Sequence, residues 1–342
     1  MADLLLDPFV AALDEFPITG SVPEKLKAAV KYAVLAPSSH NTQPWLFRAG
    51  AADLEVYADR SRGLPVVDPK DRELIMSCAA ALLNLRVALR RFGNRVAITI
   101  LPDAGNPDLL ARVSLDGQIE PTGEDLALFN AIRVRRTHRL PFKRQAPPAA
   151  LLNALELAAV QEGAWLHVLP GEEARTSLAD LIAEGDRRQM ADRGFRRELA
   201  AWVHANRSRT RDGMPGYAFG FGDLMAAAAP FVIRTFDTGT GQAARDRDLA
   251  LGSPVLAVLG TAGDTPRDWM AAGQALERVL LRARVEGVAA SFLNQPVEVP
   301  DLRLEVQMLT GFMGYPQLVL RLGYGGNAGP TPRRPVEEVL VG

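Results

Sequence analysis

Two short runs concentrate the residues able to do chemistry. The first is Ala36-Pro37-Ser38-Ser39-His40-Asn41-Thr42-Gln43-Pro44-Trp45, where hydroxyls, an imidazole and two carboxamides sit between prolines. Short polar side chains and free backbone N–H groups on one tight loop present many hydrogen-bonding atoms to a single spot. That suits a flat ligand rich in heteroatoms better than it suits a nucleophile. The second run is Arg133-Val134-Arg135-Arg136-Thr137-His138-Arg139-Leu140-Pro141-Phe142. Guanidinium forks hold phosphate oxygens two at a time and a threonine hydroxyl adds a short donor, so this run can grip a phosphate. Each run also has a plainer account. Serine and asparagine satisfy helix-to-strand connections, and arginines are favoured where the helix from about Glu124 ends.

Other chemistry finds little support. His40, His138, His167 and His204 are scattered, with no His-x-x-x-His or Cys-x-x-Cys spacing for a metal. Gly-x-Ser-x-Gly and Walker-type loops are missing too. No side chain is assigned as a catalytic acid or base.

The elements that must position these runs occur twice in the same order. A helix from Glu24 to Leu35, with Leu26, Ala29, Val30, Ala33 and Val34 on one side, stops at Pro37 and leads to a strand at Trp45. A strand at Leu54–Tyr57, a long helix from Pro69 to Phe92 stopped by Gly93, and a strand at Arg95–Leu101 follow. Later, a helix from Pro148 leads to a strand at Trp165–Val168. After an insertion come a strand at Pro254–Leu259, a helix from Pro266 to Glu286 stopped by Gly287, a strand at Val288–Leu293 and one at Gln317–Leu322. Asp68 before Pro69 and Thr265 before Pro266 are the expected helix caps. The expected organisation is two halves, 1–122 and 123–342, with the insertion at about 171–251.

The run Ala36–Trp45 resembles the signature loop of the FMN-dependent nitroreductases, and Arg135–Phe142 resembles their Arg-x-Ser/Thr-x-Arg/Lys-x-Phe motif, with a proline inserted before Phe142. The tail Pro330-Thr331-Pro332-Arg333-Arg334-Pro335, after Gly314–Gly325, places the likeness in the Acg-like branch. It spans about Glu24 to Leu340 and is weakest over the insertion. Each half keeps what the other lacks: Phe16–Ser21 carries no arginine pair, and Gln161–Trp165 carries no Pro-Ser-Ser-x-Asn. The resemblance implies an α+β, nitroreductase-like fold in which two fused halves form an intramolecular pseudo-dimer with one complete FMN site. Pro37, Ser38, Ser39, His40, Asn41 and Gln43 would then address the ring and ribityl chain. Arg135, Arg136, Thr137 and Arg139, joined by Arg333, would hold the phosphate, and Leu293, Asn294 and Gln295 would pass the ring edge at N5. The implied activity is ping-pong hydride transfer from NAD(P)H to a nitroaromatic, quinone or similar small-molecule acceptor. The alternative is a protein that sequesters or stores FMN with little turnover. Phe195–Phe221 would form a cover over the flavin.

Composition bounds the rest. With 342 residues, 48% hydrophobic, the chain can bury a large core, and a net charge of −1 gives no global attraction to nucleic acid or anionic membrane. In the insertion, Arg187, Arg188, Arg193, Arg196, Arg197, Arg207, Arg209 and Arg211 are diluted by Glu184, Asp186, Asp192 and Glu198, which reads as solvated helix faces. A lone cysteine, Cys78, excludes an intrachain disulfide. No leader pattern opens the chain, and its longest apolar run, Leu224–Ile233, is too short to span a bilayer. These readings predict a cytoplasmic protein without nucleic-acid or membrane partners, and a plausible monomer because the chain carries its own pseudo-dimer interface.

Overall fold

Caps and left-handed glycines set most element boundaries. The computed structural model describes residues 16–326 and 328–342, so the expectation of no leader, and residues 1–15 of the first half, lie outside the described residues. Helix α1 (Val22–Ala33) opens at Ser21, whose N–H and hydroxyl both donate to the Glu24 carboxylate (2.7 and 2.8 Å). Strands β1 (Trp45–Ala49) and β2 (Asp53–Ala58) follow, then helix α2 (Arg72–Arg91), strands β3 (Asn94–Ile100) and β4 (Leu109–Gln118), and helix α3 (Gly123–Ile132). Helix α4 (Ala149–Val160) and strand β5 (Trp165–Val168) come next. The insertion then contributes α5 (Gly171–Ala191), α6 (Arg193–Trp202), the paired dipeptides β6 (Val203–His204) and β7 (Met214–Pro215), α7 (Asp223–Thr235) and α8 (Gly239–Leu251). After it come β8 (Val255–Thr261), α9 (Pro266–Val285), β9 (Ala289–Phe292), α10 (Gln295–Glu298), α11 (Pro300–Thr310), β10 (Tyr315–Gly323) and α12 (Val336–Val339).

Two four-stranded antiparallel sheets result, ordered β1-β2-β4-β3 and β5-β8-β10-β9. With the short insertion strands set aside, both place the first, second, fourth and third strand of their half side by side. Both also insert the long helix between second and third strand. Sequence reasoning missed β4. Its Leu109-Leu110-Ala111 start is buried without alternation and its far end is exposed, so no period-two signal marks it.

One cap also differs from expectation. Thr265 caps α9 as foreseen, its N–H donating to Asp268 (2.9 Å). Asp68 does not open α2; the helix begins at Arg72, after Asp71 in a left-handed conformation (φ 56°). Pro69 and Lys70 form a turn, and the Asp68 carboxylate reaches forward to accept from the Leu74 N–H (2.9 Å). Gly93 (φ 77°) and Gly287 (φ 74°) end the two long helices.

Helices α2 and α9 cross at the centre. A Cβ on Gly273 would lie 2.1 Å from the Met76 carbonyl oxygen and 2.7 Å from the Ala79 Cβ, so only glycine permits this crossing. One apolar core runs through it, from Trp45, Phe47 and Leu82 in the first half to Leu259, Leu281 and Leu320 in the second. A second cluster, including Leu178, Ile182, Leu256, Val258 and Val319, seats the insertion on the second sheet.

A polar pair is enclosed beside that core. Arg135 Nε lies 3.4 Å from Glu277 Oε1, with side chains 5% and 0% exposed. Burial pushes the Glu277 carboxyl up to about 7, against the pull of Arg135. A folded state that holds this proton more tightly loses stability as pH rises from the ordinary 4.5 to about 7. Arg135→Ala strands Glu277 without its counter-charge, a loss of about 3–5 kcal/mol when the carboxylate is ionised. Urea unfolding should therefore show a deficit that is smallest near pH 5 and grows towards pH 8. A deficit independent of pH would contradict the pairing.

Candidate functional site

Pro37 releases the chain from α1 into a strained loop. His40 (φ 51°), Asn41 (58°) and Gln43 (52°) all adopt left-handed backbone, and three such residues together mark a conformation held by its surroundings. Ser38 Oγ accepts from the Gln43 N–H (2.9 Å), and the Ser39 hydroxyl donates to Glu73 at the start of α2 (2.5 Å). His40 Nε2 is buried and has no hydrogen-bond partner among the described residues. Burial, with Arg139 nearby, pushes its pKa down to about 4, so the imidazole is neutral at pH 7.

The arginine run is held by the second sheet. Thr137 bridges Ala290, the His138 N–H donates to the Ala290 carbonyl (2.9 Å), and Arg321 on β10 donates to the carbonyls of His138 (2.9 Å) and Leu140 (3.1 Å). Arg321 is buried against the Phe142 ring, 4.6 Å from its centroid. The end of β9 supplies the third wall. There Asn294 Oδ1 accepts from the Val319 N–H (3.0 Å), fixing the turn into α10.

These three stretches meet around a cavity of about 580 Å³. Pro37, Ser38, Ser39, His40, Thr137, Arg139, Leu293, Asn294 and Gln295 all line it. A smaller cavity of about 80 Å³ shares Thr137 and Arg139 and adds Arg135, Arg136 and Arg333. Arg139 stands out for its lack of partners. Among the described residues its guanidinium has no hydrogen bond or ion pair and lies only over the Phe219 ring, at 5.1 Å. Burial pushes its pKa down to about 10. Arg135 is turned to Glu277 and to the Leu35 carbonyl (3.2 Å), and Arg136 to the carbonyls of Arg133 (3.0 Å) and Arg135 (2.9 Å). Arg333 donates to Asn41 Oδ1 (2.9 Å) and Thr331 Oγ1 (2.6 Å).

Asn41 and Gln43 differ from the expected arrangement, for they line neither cavity. The Asn41 amide donates to the carbonyls of Gly213 (2.9 Å) and Pro332 (3.1 Å), and the Gly213 N–H donates back to the Asn41 carbonyl (3.2 Å). Gln43 donates to the Arg211 carbonyl (2.9 Å) and accepts from the Arg334 N–H (2.7 Å). Arg62 adds an ion pair to Asp212 and donates to the Thr42 carbonyl (2.5 Å). The loop's carboxamides thus bind the insertion and the tail.

The cavity's other wall comes from the insertion. Phe195, Leu199, Val203, Met214, Phe219 and Phe221 line it, and the lining continues through Met225 and Val232 on α7 to Asp246 and Leu249 on α8. The insertion's wall on this cavity therefore extends beyond Phe195–Phe221. Nor are all its charges solvated. Arg196 is buried, donating to the Met190 carbonyl (2.5 Å), and Asp186 is buried at the cavity. Sequence reasoning missed Glu73, Ser77, Asp186, Asp246, Glu298 and Arg321 on this lining. A usable signal was Arg321 itself, a charge inside the otherwise apolar strand Leu318–Leu322.

The arrangement offers an anion site at Arg139 and Thr137, a hydroxyl-lined face at Ser38 and Ser39, and an apolar cover. Among the described residues no helix is long and apolar enough to cross a membrane.

No protein-family model matches the chain. Curated relatives do, across both halves. A Mycobacterium tuberculosis protein provisionally named an NAD(P)H nitroreductase is 31% identical over 323 residues, covering 93% of this chain and 91% of the relative. A second M. tuberculosis protein, of uncharacterized activity, is 31% identical over 333 residues, with 92% of each covered. The M. tuberculosis protein provisionally named NAD(P)H nitroreductase acg is 28% identical over 331 residues, covering 95% and 97%. Among solved structures, the FMN-dependent nitroreductase NfnB from Mycobacterium smegmatis in complex with NADPH matches 62% of this chain and 96% of its own, at 18% identity and a TM-score of 0.41. At these identities and lengths, the chain belongs to the NAD(P)H nitroreductase family, with acg among its relatives.

Proposed function

We propose that this chain is an FMN-dependent oxidoreductase that takes reducing equivalents from NAD(P)H and passes them to a small-molecule acceptor. The observation that carries the reading is Arg139, a cation enclosed at the cavity with no counter-ion among the described residues. A cation that faces a cavity without a counter-ion is favourably placed to receive an anionic ligand. A phosphate held by Arg139 and Thr137 satisfies it, with Arg135, Arg136 and Arg333 adding positive potential from the smaller cavity. Ser38, Ser39 and the neutral His40 face the place left for a flat ring, and Leu293, Asn294 and Gln295 border its edge. FMN, when bound, supplies the hydride chemistry; the chain orients it and excludes water beneath the cover. The aromatic and aliphatic lining of that cover suits a quinone or nitroaromatic acceptor.

In this reading 1–122 and 123–342 are fused halves of a pseudo-dimer, which lets the chain act as a monomer, and Asn41 and Gln43 serve as a latch. The many ties from Asn41, Gln43 and Arg62 to residues 211–213 also favour a second reading, in which the cover retains FMN and turnover is slight. Stopped-flow bleaching of the flavin by NADPH or NADH separates the two, since a storage protein shows negligible reduction.

Arg139→Ala should raise the FMN dissociation constant about 10- to 100-fold, as expected for a lost charged hydrogen bond. The flavin-free variant should be no less stable than its parent. Undiminished FMN affinity would remove the phosphate assignment. Asn41→Ala combined with Gln43→Ala should speed both tryptic cleavage at Arg207–Arg211 and release of bound FMN. Unchanged cleavage and release would mean that the latch has no role in closing the cavity.

A further inference from the structure

The reduction proposed above consumes a proton as well as a hydride, and His40, neutral at pH 7, does not supply one. We propose that Asp186 and Asp246, bridged by the Gln295 amide, share a proton and deliver it to the acceptor in the large cavity. This inference rests on the reading that hydride transfer takes place there.

The geometry joins three separate elements. Asp186 on α5 is 4% exposed, Asp246 on α8 is 7% exposed, and both line the cavity beside Gln295. One nitrogen, Gln295 Nε2, donates to Asp186 Oδ1 (3.1 Å) and to Asp246 Oδ2 (2.9 Å), and the Gln242 amide also donates to Asp246 Oδ2 (2.9 Å). Asp186 Oδ2 meets no donor among the described residues. A proton shared with Asp246 satisfies that oxygen. Close approach is built into the backbone. A Cβ on Gly185 would lie 2.7 Å from the Gln295 Cβ and 2.8 Å from its carbonyl carbon, so glycine lets α5 seat Asp186 against the start of α10.

Two carboxyls this near in an enclosed site do not both ionise. Burial and the neighbouring carboxyl hold Asp186 up to about 8, and burial raises Asp246 as well. The charges around the pair are Arg187 on α5, Arg245 on α8, Arg321 on β10 and Glu298 on α10. Arg321 is committed to the His138 and Leu140 carbonyls and Arg245 donates to the Phe219 carbonyl (3.2 Å), so neither forms a direct ion pair with the pair. Burial, with Glu73 nearby, pushes the Glu298 carboxyl above the usual carboxylate range, and it accepts from the Gln189 amide (2.5 Å), while Glu73 already accepts from Ser39, Arg72 and Asn294. Of these acids, Asp186 and Asp246 are the two joined through one donor, Gln295 Nε2.

For a quinone the step balances as follows. FMN, when bound and reduced, would supply two electrons and one hydrogen as hydride, which leaves an oxyanion on the quinone. The carboxyl O–H bond breaks, an O–H bond forms on that oxyanion, and the pair is left doubly charged until water returns its proton.

The test uses FMN-loaded Asp186→Asn and Asp246→Asn chains, reduced with dithionite so that acceptor chemistry is read whatever nicotinamide does. Reoxidation by a benzoquinone should slow at least about 100-fold, as expected for loss of a positioned proton donor. Reoxidation by ferricyanide, which takes electrons without protons, should keep its rate. The parent's quinone rate should fall above about pH 8, and the variants' should not change there. Infrared spectroscopy at pH 7 should show a protonated-carboxyl band in the parent that Asp186→Asn removes. An unchanged quinone-to-ferricyanide ratio, or an unaltered carboxyl band, would overturn the proposal while leaving the flavin site intact. A chain that binds no flavin would instead remove the parent reading, and this one with it.

Discussion

A cavity-lining guanidinium with no counter-ion among the described residues is the constraint on which the site depends. Arg139 keeps its charge although burial lowers its pKa, and among the described residues only a weak cation–π contact to Phe219 compensates it. The framework that holds it there is rigid and itself well satisfied: Thr137 and His138 are tied to Ala290, and Arg321 grips the carbonyls on either side. The neighbouring arginines have other partners. Arg135 is paired with Glu277 in the core, and Arg333 ties the tail to Asn41. The run that reads as a uniform arginine cluster is therefore divided between structural cations and one left open to a ligand.

The crossing of α2 and α9 is what lets that cation face the serine loop. Gly273 brings the two helix backbones into contact, and the halves share one core through it. The stretch Pro37–His40 comes from one half and Arg139 from the other, yet both border the same cavity. The insertion closes the remaining side. It is seated on the second sheet by apolar packing, while Glu198 accepts from the N–H groups of Val66 and Val67 to tie it to the first half.

Much of this was legible in the sequence because it rests on local signals. Glycines 93 and 287 end helices wherever they are packed, and Thr265 with Asp268 caps α9 without help from distant residues. The repeated order of elements carried the fold, and the two motifs carried the stretches that border the cavity. What sequence could not give was the direction in which a side chain faces. Asn41 and Gln43 belong to the motif yet bind the insertion, because partners 168 to 292 positions away decide their geometry. Asp186 looked like one charge in a solvated face. Only the approach of α5 to Gln295, made possible by Gly185, turns it into a buried cavity acid. Strand β4 was lost for a different reason, its burial being too continuous to show a period.

The central claim is that a loop from one half and a cation from the other build a single nucleotide site per chain. Titration of the flavin-free chain with FMN, followed by isothermal calorimetry, counts those sites directly. A stoichiometry of one FMN per chain is the result this account predicts. Saturation at two per chain, or no heat of binding at all, would contradict it.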